Sequence, residues 1–372
     1  MNQEFQTALF GFRLLTEQST RNDETESQQK DPNEEERGQR FSSSGPALYT
    51  GNILNDPECV WQDDVWQDED TLDAEQRIRN QGDVLPSFWK NEYETMANKY
   101  WHKFYRRNTT NFYKDRHYLH LICKELLDGP QGSSDFNHML EVGCGVGNAV
   151  LPLLELNERL FVHCIDFARS AIELLRSNPL VASTGNRLIA DVCDVVRDDL
   201  PTTVPMGRVD VVMCMFVLSA LPPDSLSLVL RKLAACLRPG GVLFIRDYGR
   251  YDEAQLRFKK GSKLDDHFYV RQDGTCAYYF DLEELVVLAE SLKGDEEKSR
   301  DNSSNSNSNS LDDNLNSSSN RSSSSGNGGD CGSRGLFRRE ESECFYIHRQ
   351  YANRAQARAR RRVWIQAKLV KL

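Results

Sequence analysis

Apolar and polar positions divide the chain into distinct regimes. From about residue 136, short apolar runs bounded by turn residues recur at Met139–Val142, Leu160–Ile165, Leu188–Ala190, Val209–Val217 and Val242–Ile245. Continuous runs of this length predict strands covered on both faces. The segments between them have helix-compatible spacing. Ala168–Arg176 stops at Asn178-Pro179 and Ser225–Leu237 at Arg238-Pro239-Gly240-Gly241, both with residues suited to ending a helix. Five strands alternating with helices predict an α/β fold on a doubly wound parallel sheet. Cys344–Tyr351 and Arg362–Leu369 read as two further strands, which a short basic loop would join into an antiparallel hairpin at one sheet edge.

Two stretches lack such a pattern. Residues 17–75 are mostly acidic, with Glu34, Glu35 and Glu36 in succession, and bury too little apolar surface to order themselves. Phe10-Gly11-Phe12-Arg13-Leu14-Leu15 and the pairs Val60-Trp61 and Val65-Trp66 stand out there as docking anchors. The tract 294–330 is almost entirely Ser, Asn, Asp and Gly, and reads as a solvated insertion that interrupts a domain without ending it. The expected organisation is a flexible acidic region with docking segments (1–84), an aromatic and basic segment (85–135), and a main domain (136–372) interrupted at 294–330.

Composition narrows the classes. With 46 Lys and Arg against 56 Asp and Glu, the net charge is −10, so nucleic-acid contact has to come from a local patch. No apolar run is long enough for a spanning helix, and no basic flank followed by an apolar stretch marks a secretory signal. An intracellular protein is expected, cytoplasmic with the nucleus open, and a mitochondrial address is not expected. None of the ten cysteines forms C-x-x-C, and Cys144, Cys164, Cys193, Cys214 and Cys236 sit in apolar runs. They read as reduced core thiols, with no metal site implied.

The main chemical signal is Glu141-Val142-Gly143-Cys144-Gly145-Val146-Gly147-Asn148, directly after the first strand of the main domain. Alternating glycines let the backbone turn sharply and approach a ligand. The dinucleotide fingerprint spaces its glycines differently. G-x-G-x-G behind Glu141 is typical of loops that hold the amino-acid part of S-adenosylmethionine. The second strand ends at Asp166, followed by Phe167, where a carboxylate can accept both ribose hydroxyls; a helix N-cap is the alternative. The third ends at Asp191-Val192, suited to the adenine amino group and ring, with a surface turn as the alternative. Glycine loop, Asp166 and Asp191 fall in order at successive strand ends, and together they predict S-adenosylmethionine as cofactor.

Two regions suggest the acceptor. Phe88–Tyr118 interleaves aromatics with Lys99, Lys103, Arg106, Arg107, Lys114, Arg116 and His117, a composition suited to unpaired nucleotides. Half of these aromatics read equally as the apolar stripe of an amphipathic helix. From Arg334 to Leu372, eleven Arg or Lys face three Glu, densest at Arg358, Arg360, Arg361 and Arg362. Phosphate contact is the direct reading, and internal pairing with the acidic N-terminal region is the alternative.

Longer motifs carry a resemblance. Tyr100–Tyr105 (YWHKFY), Asn111–His117 (NFYKDRH), Leu140–Asn148, Phe216–Ala220 (FVLSA), Arg246–Gly249 (RDYG) and Phe268–Thr275 (FYVRQDGT) resemble the eukaryotic tRNA N3-methylcytidine methyltransferases over roughly residues 85–292 and 335–372. The Phe10–Arg13, Trp61/Trp66 and Arg362–Gln366 segments look most like the methyltransferase-like protein 2 branch. The long Ser/Asn tract and acidic N-terminal spacer depart from the family pattern. The resemblance implies a class I (Rossmann-like) fold with a mostly parallel seven-stranded sheet, a C-terminal antiparallel hairpin and an N-terminal helical lid. It implies methylation of cytosine 32 in the anticodon loop of threonine or arginine tRNAs, with a tRNA-presenting protein as an open partner. Gly143, Gly145, Gly147, Glu141, Asp166, Phe167, Asp191 and Val192 would hold the cofactor, with Trp101, Tyr105 and His117 from the lid. Lys114, Arg116, Arg271, Asp273 and the C-terminal arginines would hold substrate. Arg246, Asp247 and Tyr248 would be catalytic, Asp247 stabilising the positive charge that develops on the ring. An Arg246–Asp247 ion pair holding a strand end is the alternative. Methylation of protein or a small molecule, and a noncatalytic subunit with this fold, are the competing functions.

Overall fold

The computed structural model describes residues 61–110, 113–127, 137–294, 335–353 and 358–372. The Phe10–Leu15 anchor and the tract 295–334 lie outside the described residues. The main sheet contains β1 (Trp61–Asp63), β2 (Asn137–Val142), β3 (Leu160–Asp166), β4 (Leu188–Val192), β5 (Val209–Met215) and β6 (Leu237–Tyr248). A smaller sheet is formed by β7 (Lys263–Asp265), β8 (Phe268–Val270) and β9 (Cys276–Tyr278). The chain then returns to the main sheet through β10 (Phe337–Arg339), β11 (Phe345–Asn353) and β12 (Arg358–Lys371). The main sheet's order is β1-β11-β12-β6-β5-β2-β3-β4, with β10 beside β12. The five strands from β4 to β6 are parallel, and β12 is antiparallel to β6.

The parallel strands are apolar on both faces because helices cover both. On one side lie α4 (Val150–Leu156) and α5 (Arg169–Arg176), whose Leu153, Leu154, Ile172 and Leu175 pack with Met139, Val162 and Met213. On the other lie α6 (Leu226–Cys236) and α7 (Leu282–Ser291), packed through Val229, Leu230, Leu233, Leu285 and Val286 onto Leu140, Val212 and Ile245. Cys144, Cys164, Cys193, Cys214 and Cys236 are all buried among these apolar side chains. Burial on this scale supplies the main free energy that opposes chain entropy. No helix among the described residues is long and apolar enough to cross a membrane.

Three features differ from the sequence reading. The hairpin β11–β12 does not end the sheet, because β1 pairs outside it, Trp61 opposite Tyr351 and Asp63 opposite Arg349. Residues 61–84, which the sequence reading placed with the acidic region, carry this strand and a helix. After β1 comes α1 (Asp68–Arg79), which is anchored by Arg77 to Glu253 at 3.2 Å. Trp66 docks as expected, stacking on Tyr251 and His348 with its Nε1 donating to Thr71. Finally, Arg238–Gly241 does stop α6, but its backbone already belongs to β6, and the three-residue strands of the small sheet are too short to show alternation.

Candidate active site

At the C-terminal ends of β2, β3 and β5 opens a cavity of about 890 Å3 including its mouth, walled by the glycine loop, residues 165–167, 193–195 and 215–217 and the lid. The lid comprises α2 (Ser87–Thr95) and α3 (Ala97–Asn108), with Trp101 and Tyr105 turned inward. Gly145 has φ +55°, and a Cβ there would stand 2.8 Å from the Tyr105 hydroxyl, so lid and loop meet only because this residue is glycine. A second close approach joins the lid to the small sheet. At Gly274, φ +86°, a Cβ would lie 2.2 Å from the Tyr100 ring.

Asp166 ends β3, and because the N-cap of α5 is Ala168, Asp166 is not the helix cap. Its carboxylate lies on the cavity wall, with Oδ2 accepting from Gly145 N at 2.9 Å and Oδ1 from Ala168 N at 2.8 Å. It therefore ties the glycine loop to the start of α5 while keeping lone pairs for ribose hydroxyls. Burial raises its pKa to about 6 against the opposing effect of these two bonds. Glu141 is 3% exposed, also lines the cavity, and its Oε2 has no hydrogen-bond partner. Burial raises its pKa to about 8, while the nearby Arg116 charge pulls the other way. A buried carboxyl group with an unused oxygen on a cavity wall suits a cationic ligand. S-adenosylmethionine, with its sulfonium, ammonium and ribose, fits this donor set.

Asp191 and Val192 do not line the cavity. Strand alternation turns Asp191 toward α5 and away from the cavity, where it accepts from Thr203 Oγ1 at 2.7 Å and pairs with Arg176 at 3.4 Å. Val192 is exposed. The residues reaching the cavity are Cys193, Asp194 and Val195. The chain has to pass β3, where Cys193 N donates to Asp166 O, before it turns inward. A second acidic residue three positions downstream was the available sequence signal.

On the acceptor side, Tyr113, Arg116 and Phe216 line the cavity, and Tyr248 lies against Phe216 with ring centroids 5.1 Å apart. Arg271 stands 5.5 Å over the Tyr248 ring and donates to Cys276 O. Lys114 and His117 are exposed and do not line the cavity. Asp273 is exposed, and its Oδ1 accepts from Thr275 N and Oγ1, which holds the β8–β9 turn.

Asp247 does not line the cavity. It is fully buried, with Oδ2 accepting from Ser219 N at 3.0 Å and Oδ1 from Tyr248 N at 2.9 Å, and burial raises its pKa to about 6. It braces the segment after β5 against β6. Arg246 projects to the opposite sheet face, where it donates to Gln366 Oε1 and lies over Tyr118. The ion pair given as the alternative for these two residues does not form either; each has separate partners, as alternation along a strand requires.

The C-terminal arginines are also redirected. Arg361 binds Asp64 at 2.5 Å, Asp70 and Val65 O, and covers the Trp66 ring. Arg362 binds the fully buried Asp252 at 2.8 Å and lies over Tyr248. Arg360 is half-buried on β12, and the side chain of Arg358 lies outside the described residues. For Arg361, internal pairing with the acidic N-terminal segment is the outcome.

A parallel sheet with this strand order, a glycine loop at the end of its first strand, an acid at the next strand end and a cavity between them define a class I S-adenosylmethionine-dependent methyltransferase. A family model described as a methyltransferase domain matches residues 140–243. Among curated proteins, the chain is 43% identical over 218 residues to tRNA N(3)-cytidine methyltransferase METTL6 of Homo sapiens, covering 59% of this chain and 76% of that one. It is 37% identical over 276 residues to METTL2 of Danio rerio (64% and 78%), and 33% identical over 331 residues to METTL2 of Bos taurus (67% and 87%). The chain belongs to the tRNA N3-cytidine methyltransferase family.

Proposed function

We propose that this chain methylates N3 of cytosine 32 in the anticodon loop of threonine or arginine tRNAs, working in the cytoplasm with the anticodon stem-loop as its partner. The main observation supporting this is a cavity lined, besides Glu141, Asp166 and the glycine loop, by the aromatic and cationic side chains of Trp101, Tyr113, Arg116 and Phe216. That wall suits an unpaired base, and N3 is accessible only when the cytosine is unpaired. When bound, S-adenosylmethionine supplies an electrophilic methyl group. N3 of neutral cytosine has a lone pair, so no residue of the chain has to remove a proton before transfer. Glu141, Asp166 and the glycine loop hold the donor, and the aromatic wall orients the base; positioning therefore dominates catalysis.

Phosphate contacts fall to α3. Lys99, Lys103, Arg106 and Arg107 recur at helical spacing on its exposed face, opposite Trp101 and Tyr105, and no carboxylate among the described residues pairs with them. The test is methyl transfer from labelled donor to tRNA transcripts and, in parallel, to protein extract. Product mapping by reverse-transcription stops should place the mark at cytosine 32. Label entering protein alone would overturn the reading. Adding cell extract to the tRNA reaction tests for a presenting protein, which is needed if purified chain and transcript react only in its presence.

A further inference from the structure

Phe216 follows β5 directly and has φ +57°. For a bulky side chain this left-handed conformation is strained, and such strain persists only where the surroundings enforce it. Here they do. Its N–H donates to Arg246 O at 2.8 Å, while Asp247 grips Ser219 N three residues on. Tyr248 and Trp364 flank the ring at 5.1 and 5.9 Å. The strained backbone brings the ring to the cavity wall. The next residue, Val217, abuts Gly143 of the donor loop, so whatever rests on Phe216 lies beside the methyl donor. One thing already rests there. The Arg116 guanidinium, a planar cation, stands 5.2 Å over the ring.

We propose that Phe216 is the positioning residue for the target base, its ring the stacking face for cytosine, and that Arg116 covers this face until the base displaces it. This rests on the reading of the acceptor as an unpaired cytosine. A flat guanidinium covers an aromatic face much as a pyrimidine would, and in doing so keeps the apolar ring out of water. Once displaced, the same cation stays beside the cavity it lines, where it can meet the incoming nucleotide's phosphate.

The experiment uses the full chain and an anticodon stem-loop with fluorescent pyrrolocytosine in place of the target base, alongside single-turnover transfer to the natural stem-loop. Wild type should quench the fluorophore by stacking. Phe216→Leu should lose the quench and slow transfer roughly tenfold to a hundredfold, the range expected for one lost base–aromatic stack. Donor affinity measured by calorimetry should stay within about twofold, as expected when no donor contact is lost. Phe216→Tyr should restore quench and rate. Transfer and quench unchanged in Phe216→Leu would overturn this proposal alone. Loss of donor affinity along with rate, with no rescue by Tyr, would assign the residue to the fold and also overturn it. Failure of wild type to methylate the stem-loop would instead overturn the cytosine reading, and this proposal with it.

Discussion

A buried carboxyl group with one unpartnered oxygen makes ligand binding depend on pH. Glu141 has its pKa raised to about 8, so near neutrality it is mostly protonated in the empty cavity. A cationic donor favours the ionised form, and binding below pH 8 therefore releases a proton. Donor affinity should rise with pH up to about 8 and level off above, and Glu141→Gln should flatten that profile; calorimetry in buffers of different ionisation enthalpy checks both. Asp194→Ala should weaken donor binding about tenfold, as the loss of one hydrogen bond in a cavity does, whereas Asp191→Ala should leave it nearly unchanged. Asp247→Asn puts an NH2 group against a backbone N–H, so it should lower thermal stability by about 1–3 kcal/mol together with the transfer rate. A rate loss with an unchanged melting temperature would return Asp247 to the chemistry. The glycine loop and Asp166 were legible in the sequence because each stands at the C-terminal end of a continuous apolar strand run. Asp194 was missed because the last residue of a strand and the first to turn inward differ by only a few positions. The conformation of Phe216 leaves no trace in composition or periodicity.

Among the elements, the two basic segments turn out to have opposite fates. The α3 cations face solvent, while Arg361 and Arg362 are paired with carboxylates. Changing Lys103, Arg106 and Arg107 together to Glu should weaken tRNA binding and reduce the slope of log affinity against log salt by roughly 2. Arg361→Glu should leave that slope alone and destabilise the fold by about 2 kcal/mol, since two carboxylates would face a third. Salt titrations and thermal melts separate the two classes. Charge density alone could not do so, because the partners of Arg361 lie almost 300 residues away in the chain. The parallel strands were read correctly because burial on both faces gives continuous apolar runs. The edge strand β1 was not, since its three residues are held by pairing with β11 and by the Asp63–Arg349 bridge at 2.8 Å, neither of which a local pattern reveals.

For the whole molecule, the segment from Trp61 to Arg79 is a clasp that ties residues 251–253 of the main body to its last two strands. It covers the edge of β11, binds Arg349 and Arg361, and reaches Glu253. A chain beginning at residue 80 should melt at lower temperature and self-associate through the uncovered edge, both measurable by calorimetry and light scattering. The contact of Tyr100 with Gly274 extends this logic to ligands. α3, whose Trp101 and Tyr105 line the cavity, and the β8–β9 hairpin touch where the Tyr100 ring meets a residue without a side chain, so ordering one restrains the other. Each ligand then lowers the entropic penalty of its companion, and the two should bind with positive cooperativity that a single added methyl at position 274 would abolish.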